Sequence, residues 1–330
     1  MRAMRGSTVL FGRGRTGRGM RRSAAWAGAL ALAAVTASAC TSDVNTGAGS
    51  SATKPSASPT TSATGGTAEN CDAAASSPAP SASAVDGADV QAIKQRGYIR
   101  VGVSADQYLT GYLNSAGAEE GFDIDLAHAL AQSLFGDPGK ARFVAISTAD
   151  REMALQDDTV DVVIDTMTIN CERLKDVAFS AVYFQASQRL LVAKGSPYTS
   201  IKSLDGEKVC AQQGSTSIDQ ITAAGATPAP VENVSDCLVK LQENAVSAIS
   251  TDDTLLAGLA EQDPNLVVVG PKLEPEPYGI AMQLHKPDLE QWVNYVLAQY
   301  EADGGWEASY QKWFRDSLGA AQPPVAQYSH

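Results

Sequence analysis

The chain has 330 residues, with 25 Lys and Arg against 37 Asp and Glu, and a formal net charge of −12. That balance argues against nucleic acid as a partner and against a basic face for membrane binding. Basic residues collect at the N-terminus, where there are no acids, so the remainder is more acidic still.

The first stretch carries Arg2, Arg5, Arg13, Arg15, Arg18, Arg21 and Arg22, followed by an apolar, Ala-rich run from Ala24 to Ala39. The run is shorter than the ~20 residues a spanning helix prefers and ends in small residues, the layout of a secretory signal over residues 1–39. Met20 is an alternative start giving a signal of more ordinary length. Ala37-Ser38-Ala39-Cys40 resembles a bacterial lipobox, with Cys40 as the lipidated residue; the alternative is a plain signal peptide cut before an incidental Cys. Residues 40–87 are rich in Ser, Thr, Ala, Pro and Gly. They lack the apolar surface that would offset the entropy of ordering, so a disordered linker is expected. A lipid at Cys40 would tether the rest of the chain to the outer face of the cell membrane.

About 245 residues remain, enough for one large domain or two lobes. Tyr98 to Val103 reads as a buried strand. Leu126, Leu130, Ala131 and Leu134 fall at helical spacing after Gly121, with Asp123 and Asp125 at the positive end of the helix dipole. Arg142 to Ile146 reads as a strand, Ala149 to Leu155 as a short helix and Val160 to Ile164 as another strand. Alternation of this kind predicts a parallel, doubly wound α/β sheet. Lys208 to Ala211 predicts a strand, Gln212 to Ser217 a turn with free N–H groups, and a helix follows from about Ile218. Further on come a helix near Leu238, a strand from Ala245 to Ser250 and a turn at Thr251-Asp252-Asp253-Thr254. A helix then follows at Leu255 to Ala260, and a strand at Leu266 to Val269. Two amphipathic C-terminal helices carry Trp292, Trp306, Tyr310 and Trp313, which helical spacing places in the core.

Besides Cys40, four cysteines remain: Cys71, Cys171, Cys210 and Cys237. In an exported chain they predict two disulfides with three possible pairings. Cys210 with Cys237, both in one predicted lobe, is favoured, which leaves Cys71 to reach Cys171. Zinc is disfavoured, because there is no C-x-x-C pair and His128, His285 and His330 lie far from the cysteines in sequence. No metal or cofactor is expected.

The segment Thr166-Met167-Thr168-Ile169-Asn170-Cys171-Glu172-Arg173 follows an apolar strand. A strand ending in hydroxyl residues and an Arg can hold a carboxylate: the guanidinium fork donates two parallel hydrogen bonds.

Gly121 to Leu126 with Leu130, Ala131 and Leu134, Thr168 to Arg173 with Phe179-Ser180, the Gly214-Ser215-Thr216 turn, Asp252-Asp253 and Pro277-Tyr278-Gly279 recur here in one order. That set resembles the family 3 solute-binding proteins for polar amino acids of ABC importers. It is most similar to glutamine/glutamate-binding lipoproteins of actinobacteria. The resemblance implies an α/β fold of the type II periplasmic-binding kind. Residues 88–192 and 283–330 would form lobe 1 and residues 193–282 lobe 2, joined by two hinge strands and shutting over one ligand. It implies that Arg173 clamps the ligand α-carboxylate, helped by the Thr168 hydroxyl and N–H and by the N–H groups of Ser215 and Thr216. Asp252 would take the α-ammonium, with the Thr166 carbonyl as second acceptor. Gln212 would reach the ligand side chain, and Tyr108 or Tyr112 would cover it. Arg151 stands where glutamate/aspartate binders hold the side-chain carboxylate. If it points into the cleft, acidic ligands are favoured and an amide is accepted; if it faces Asp150, glutamine or asparagine regains favour. The protein is expected to act as a monomer that delivers its ligand to an ABC permease. The alternatives are a sensor reporting to a membrane partner and an enzyme on the same fold.

Overall fold

The computed structural model describes residues 71–329; the signal, Cys40, the linker up to residue 70 and His330 lie outside them. The stretch from 71 to 87, expected to continue the linker, instead packs on the domain through two short 3-10 turns, Ala73–Ala75 and Ala82–Asp86. Cys71 is bonded to Cys171. Asn294, fully buried, donates to the Ser77 hydroxyl and the Pro78 carbonyl, both at 2.7 Å. Composition predicted disorder there because it counts apolar surface and cannot see a covalent bond or a buried amide waiting for partners.

Helix α1 (Ala88–Arg96) leads into β1 (Ile99–Val103), whose Ile99, Val101 and Val103 are buried. Three short strands follow, β2 (Asp106–Gln107), β3 (Gly111–Leu113) and β4 (Glu119–Glu120), forming a small antiparallel sheet. They are not legible in the sequence because runs this short show no alternation. Helix α2 (Phe122–Phe135) starts from Gly121 at φ +139°, where a Cβ would stand 2.1 Å from the Thr110 carbonyl oxygen, so only glycine fits. Next come β5 (Ala141–Ala145), α3 (Arg151–Gln156), β6 (Val162–Val163) and β7 (Val177–Phe179).

Strand β8 (Phe184–Ala193) leaves this lobe for the second, made of β9 (Lys208–Gln212), α4 (Ser217–Ala223), β10 (Thr227–Val231), α5 (Val234–Gln242), β11 (Ala248–Asp252), α6 (Asp253–Gln262) and β12 (Leu266–Val269). Strand β13 (Pro275–Tyr278) returns, and β14 (Ala281–Gln283), α7 (Pro287–Ala302), α8 (Gly305–Trp313) and α9 (Arg315–Leu318) complete the first lobe.

The first sheet has the order β5-β1-β6-β14-β7 and the second β10-β9-β11-β8-β12. Both are mixed rather than wholly parallel: β14 runs antiparallel to β6 and β7, and β8 antiparallel to β11 and β12. Strands β8 and β13 carry the chain between lobes. The two crossings are Phe184–Ser187 and Pro275–Tyr278, which pair with each other. Both crossings precede residues 192 and 282 in the chain, because Leu190–Ala193 already belongs to the second sheet and Ala281–Gln283 to the first. Strand β10, Thr-Pro-Ala-Pro-Val, has no counterpart among the elements expected from sequence. Its prolines are tolerated because it is an edge strand bonded on one side only. The Cys210–Cys237 bond ties β9 to α5.

The core of the first lobe is continuous with the hinge. Phe122, Phe184, Trp306 and Tyr310 stack or meet edge-on, Phe314 meets them at a tilt, and the Trp306 indole donates to the Tyr183 carbonyl at 2.7 Å. Trp313 is only half-buried; its indole donates to Asp125 at 2.7 Å. Asp123 and Asp125 thus serve tertiary bonds rather than the dipole alone. Buried Asp123 accepts the Thr166 N–H at 2.8 Å and the Tyr183 hydroxyl at 2.9 Å.

Candidate functional site

In each lobe the parallel strands end at the same edge, and those edges face each other. In open α/β sheets this is where ligands settle. Thr166 and Thr168 follow β6, Gln212 ends β9, Asp252 ends β11, and Arg151 opens α3. A polar cavity with about 10 Å³ of free space is lined by Thr148, Arg151, Thr166, Thr168, Arg173, Gln212, Ser215, Thr216, Thr251, Asp252 and Leu255. That is room for about one water molecule, so side chains of the two lobes nearly meet across it and the lobes must part to admit a ligand. Of the residues expected from sequence to contact a ligand it brings together all but Tyr108 and Tyr112.

Arg173 is buried. Its Nη1 donates to the Thr168 carbonyl at 2.7 Å, its Nη2 to the Gly214 carbonyl of the other lobe at 3.0 Å, and its Nε lies 3.4 Å from Glu152 Oε1. Burial, and then the neighbouring Arg151, hold its guanidinium down to about 10. Arg151 is 3% exposed and faces the cavity, not Asp150; its Nε donates to the Thr148 carbonyl at 2.9 Å and its Nη1 to the Asp165 carbonyl at 2.8 Å. The two buried guanidiniums lie within electrostatic reach of one another.

Asp252 Oδ2 accepts the Tyr278 hydroxyl at 2.5 Å. Burial first, then the nearby Glu276, push its carboxyl up to about 8. Asp253 turns away from the cavity, accepting the Ser187 N–H at 3.2 Å and pairing with Lys272 at 3.2 Å. Of the two, Asp252 lines the cavity and Asp253 does not.

Several expected contacts are arranged differently. The Thr168 hydroxyl donates to Glu276 at 2.6 Å and the Thr216 hydroxyl donates to Glu276 at 3.0 Å, so neither is a donor toward the cavity. The Ser215 N–H is turned inward, onto the Gln212 carbonyl at 3.2 Å. Tyr108 packs against Tyr112, with ring centroids 4.8 Å apart, and does not line the cavity. Its neighbour Gln107 reaches the site, accepting from the Thr166 hydroxyl at 3.2 Å and donating to Gln212 across the cleft at 3.4 Å.

Glu276, Asp165 and Gln107, each bonded to residues that line the cavity, are not singled out by the sequence. Glu276 directly precedes the Pro277-Tyr278-Gly279 motif, which is its only available signal. Asp165 is 1% exposed, neither carboxylate oxygen has a hydrogen-bond partner, and burial pushes it up to about 7.

The lobes meet at the rim as well. Asp106 Oδ2 accepts the Ser235 N–H at 3.0 Å and its hydroxyl at 2.9 Å. Gly214 and Gly258 allow the closest approach: a Cβ would stand 2.7 Å from the Ala149 Cα and 2.2 Å from the Tyr108 carbonyl oxygen, respectively. No cluster of three or more His, Cys, Asp or Glu suited to a metal ion occurs among the described residues. The arrangement sets cationic groups from the first lobe opposite a carboxylate from the second, a pattern suited to binding.

The model of bacterial extracellular solute-binding proteins, family 3, matches residues 99–316. The ABC transporter glutamine-binding protein GlnH of Bacillus subtilis is 38% identical over 229 residues, covering 68% of this chain and 84% of that protein. The glutamine-binding protein of Geobacillus stearothermophilus is 40% identical over 195 residues, covering 58% of this chain and 74% of that protein. Among solved structures, an ancestral arginine-binding protein bound to glutamine superposes with a TM-score of 0.63 at 36% identity, covering 68% of this chain and 99% of that one. The fold is therefore the two-lobed type II periplasmic-binding fold, and the family is one of binding proteins rather than enzymes. With its motifs in order along β6 to β14 and a match over most of its folded part, the chain belongs to the bacterial extracellular solute-binding proteins of family 3.

Proposed function

We propose that this protein, anchored outside the cell membrane through a lipid on Cys40, binds a polar amino acid between its lobes and delivers it to an ABC permease. Glutamate and aspartate are the preferred class, with glutamine and asparagine accepted. The observation that carries this reading is the placement of Arg173, Arg151 and Asp252 around one small cavity. Arg173 takes the α-carboxylate, Asp252 the α-ammonium and Arg151 the far end of the side chain. A side-chain carboxylate relieves the repulsion between the two buried guanidiniums, whereas an amide offers only its oxygen. The relatives named for glutamine support the amino-acid class.

Mass spectrometry of the small molecule that co-purifies, followed by calorimetry across the polar amino acids, tests the reading. Arg151→Ala should weaken glutamate by at least tenfold more than glutamine. Equal losses would remove the acidic preference, and no binding of any amino acid would remove the proposal. Pull-down of the membrane partner distinguishes a permease from a sensor.

A further inference from the structure

Glu276 lies on the connecting strand β13, its backbone paired with Ala186 of β8. It is 1% exposed. Its Oε2 accepts the Thr168 hydroxyl from the first lobe at 2.6 Å and the Thr216 hydroxyl from the second at 3.0 Å. Its Oε1 accepts the Gln220 side-chain N–H, also from the second lobe, at 2.9 Å. One carboxylate in the hinge thus gathers donors from both lobes.

We propose that Glu276 is a positioning residue, a latch in the hinge that draws Thr168 and Thr216 together and sets the polarity of the hydroxyls lining the cavity. A hydroxyl has one proton to give. Since Thr168 and Thr216 both spend theirs on Glu276, they turn only lone pairs toward a ligand. The α-carboxylate must then rely on Arg173 and backbone N–H groups, while the two hydroxyls favour the N–H-bearing part of the ligand. The bonds are made by the protein alone, so they draw the lobes together whether or not the cavity is filled. Bonds to an ionised group are among the stronger hydrogen bonds in proteins, and three of them converge here.

The proposal rests on the reading of the chain as a binding protein whose lobes close, and its test uses no ligand. Fluorophores introduced through non-canonical residues at Met153 and Val239, 53% and 50% exposed on the first and second lobe, report the lobe separation by single-molecule energy transfer. The wild-type protein should populate a closed state in buffer. Glu276→Ala should shift the ratio of open to closed molecules roughly tenfold or more toward open. Glu276→Gln, which keeps one oxygen acceptor, should shift it less. Gln220→Ala, whose side chain bonds Glu276 and does not line the cavity, should shift it in the same direction and carries the test should Glu276→Ala fail to fold. A merely structural role would lower the melting temperature and leave the distance distribution of folded molecules unchanged. That result, or a wild-type protein with no closed population, overturns the latch. Failure of amino-acid binding in calorimetry would instead sink the functional reading and leave the distance measurement interpretable.

Discussion

Arg173→Ala is the substitution whose effect can be worked furthest. The guanidinium is buried, bonded to the Thr168 carbonyl on its own lobe and the Gly214 carbonyl on the other, and held down to about 10 by burial and Arg151. Removing it leaves a ligand carboxylate shut in a small cavity without its charge partner, a loss of roughly 3–5 kcal/mol for breaking one side of a buried ion pair. That corresponds to a rise in Kd of roughly two to three and a half orders of magnitude. The ligand-free protein should suffer much less, since a cation whose charged form is disfavoured by burial is being removed. The thermal upshift produced by excess ligand should all but vanish, because that shift follows mass action on the folded state. Arg173→Lys separates charge from geometry: it keeps the cation and loses the fork, and should recover only part of the affinity. Calorimetry with glutamate and glutamine reads the first effect and scanning fluorimetry the second. A Kd changed less than fivefold in Arg173→Ala would refute the assignment of this residue to the carboxylate.

Asp252 is pushed up to about 8 by burial and Glu276, so most of the ligand-free population is protonated at neutral pH. Binding an ammonium requires the ionised form. Affinity should therefore rise with pH up to about 8, and binding at pH 7 should release a proton, measurable by calorimetry in buffers of different ionisation enthalpy; no proton release would contradict the role. Asp123 and Asp165 are both pushed up to about 7, so the native state holds more protons than the unfolded chain between about pH 4 and 7, and stability must fall as pH rises through that window. The ligand-free melting temperature should accordingly be higher at pH 5 than at pH 8, and a rise over that interval would refute the sign. Gly258→Val places atoms on the Tyr108 carbonyl and holds the lobes apart, so ligand affinity should fall sharply; unchanged affinity would show that the lobes do not need this approach. Opening the Cys210–Cys237 bond as a double Ala variant should cost roughly 3 kcal/mol on the chain-entropy model, read from denaturant midpoints.

Much of the design is local and therefore readable along the chain. Apolar runs and helical spacing mark β1, α2, β9 and α7, because burial on one face imposes a period. Glycines mark turns, and the order of motifs points to Arg173, Thr168 and Asp252 before any fold is known. The pairing of Cys210 with Cys237 also agrees with a lobe assignment made from sequence. What only the tertiary structure decided depends on groups far apart in the chain. Glu276 captures hydroxyls from residues 108 and 60 positions away, Gln107 bonds two residues that line the cavity, and residues 71–87 dock on a lobe that composition cannot see. A hydroxyl has no preferred partner in sequence, and where its single proton goes is settled only when two lobes and a hinge bring the acceptors together.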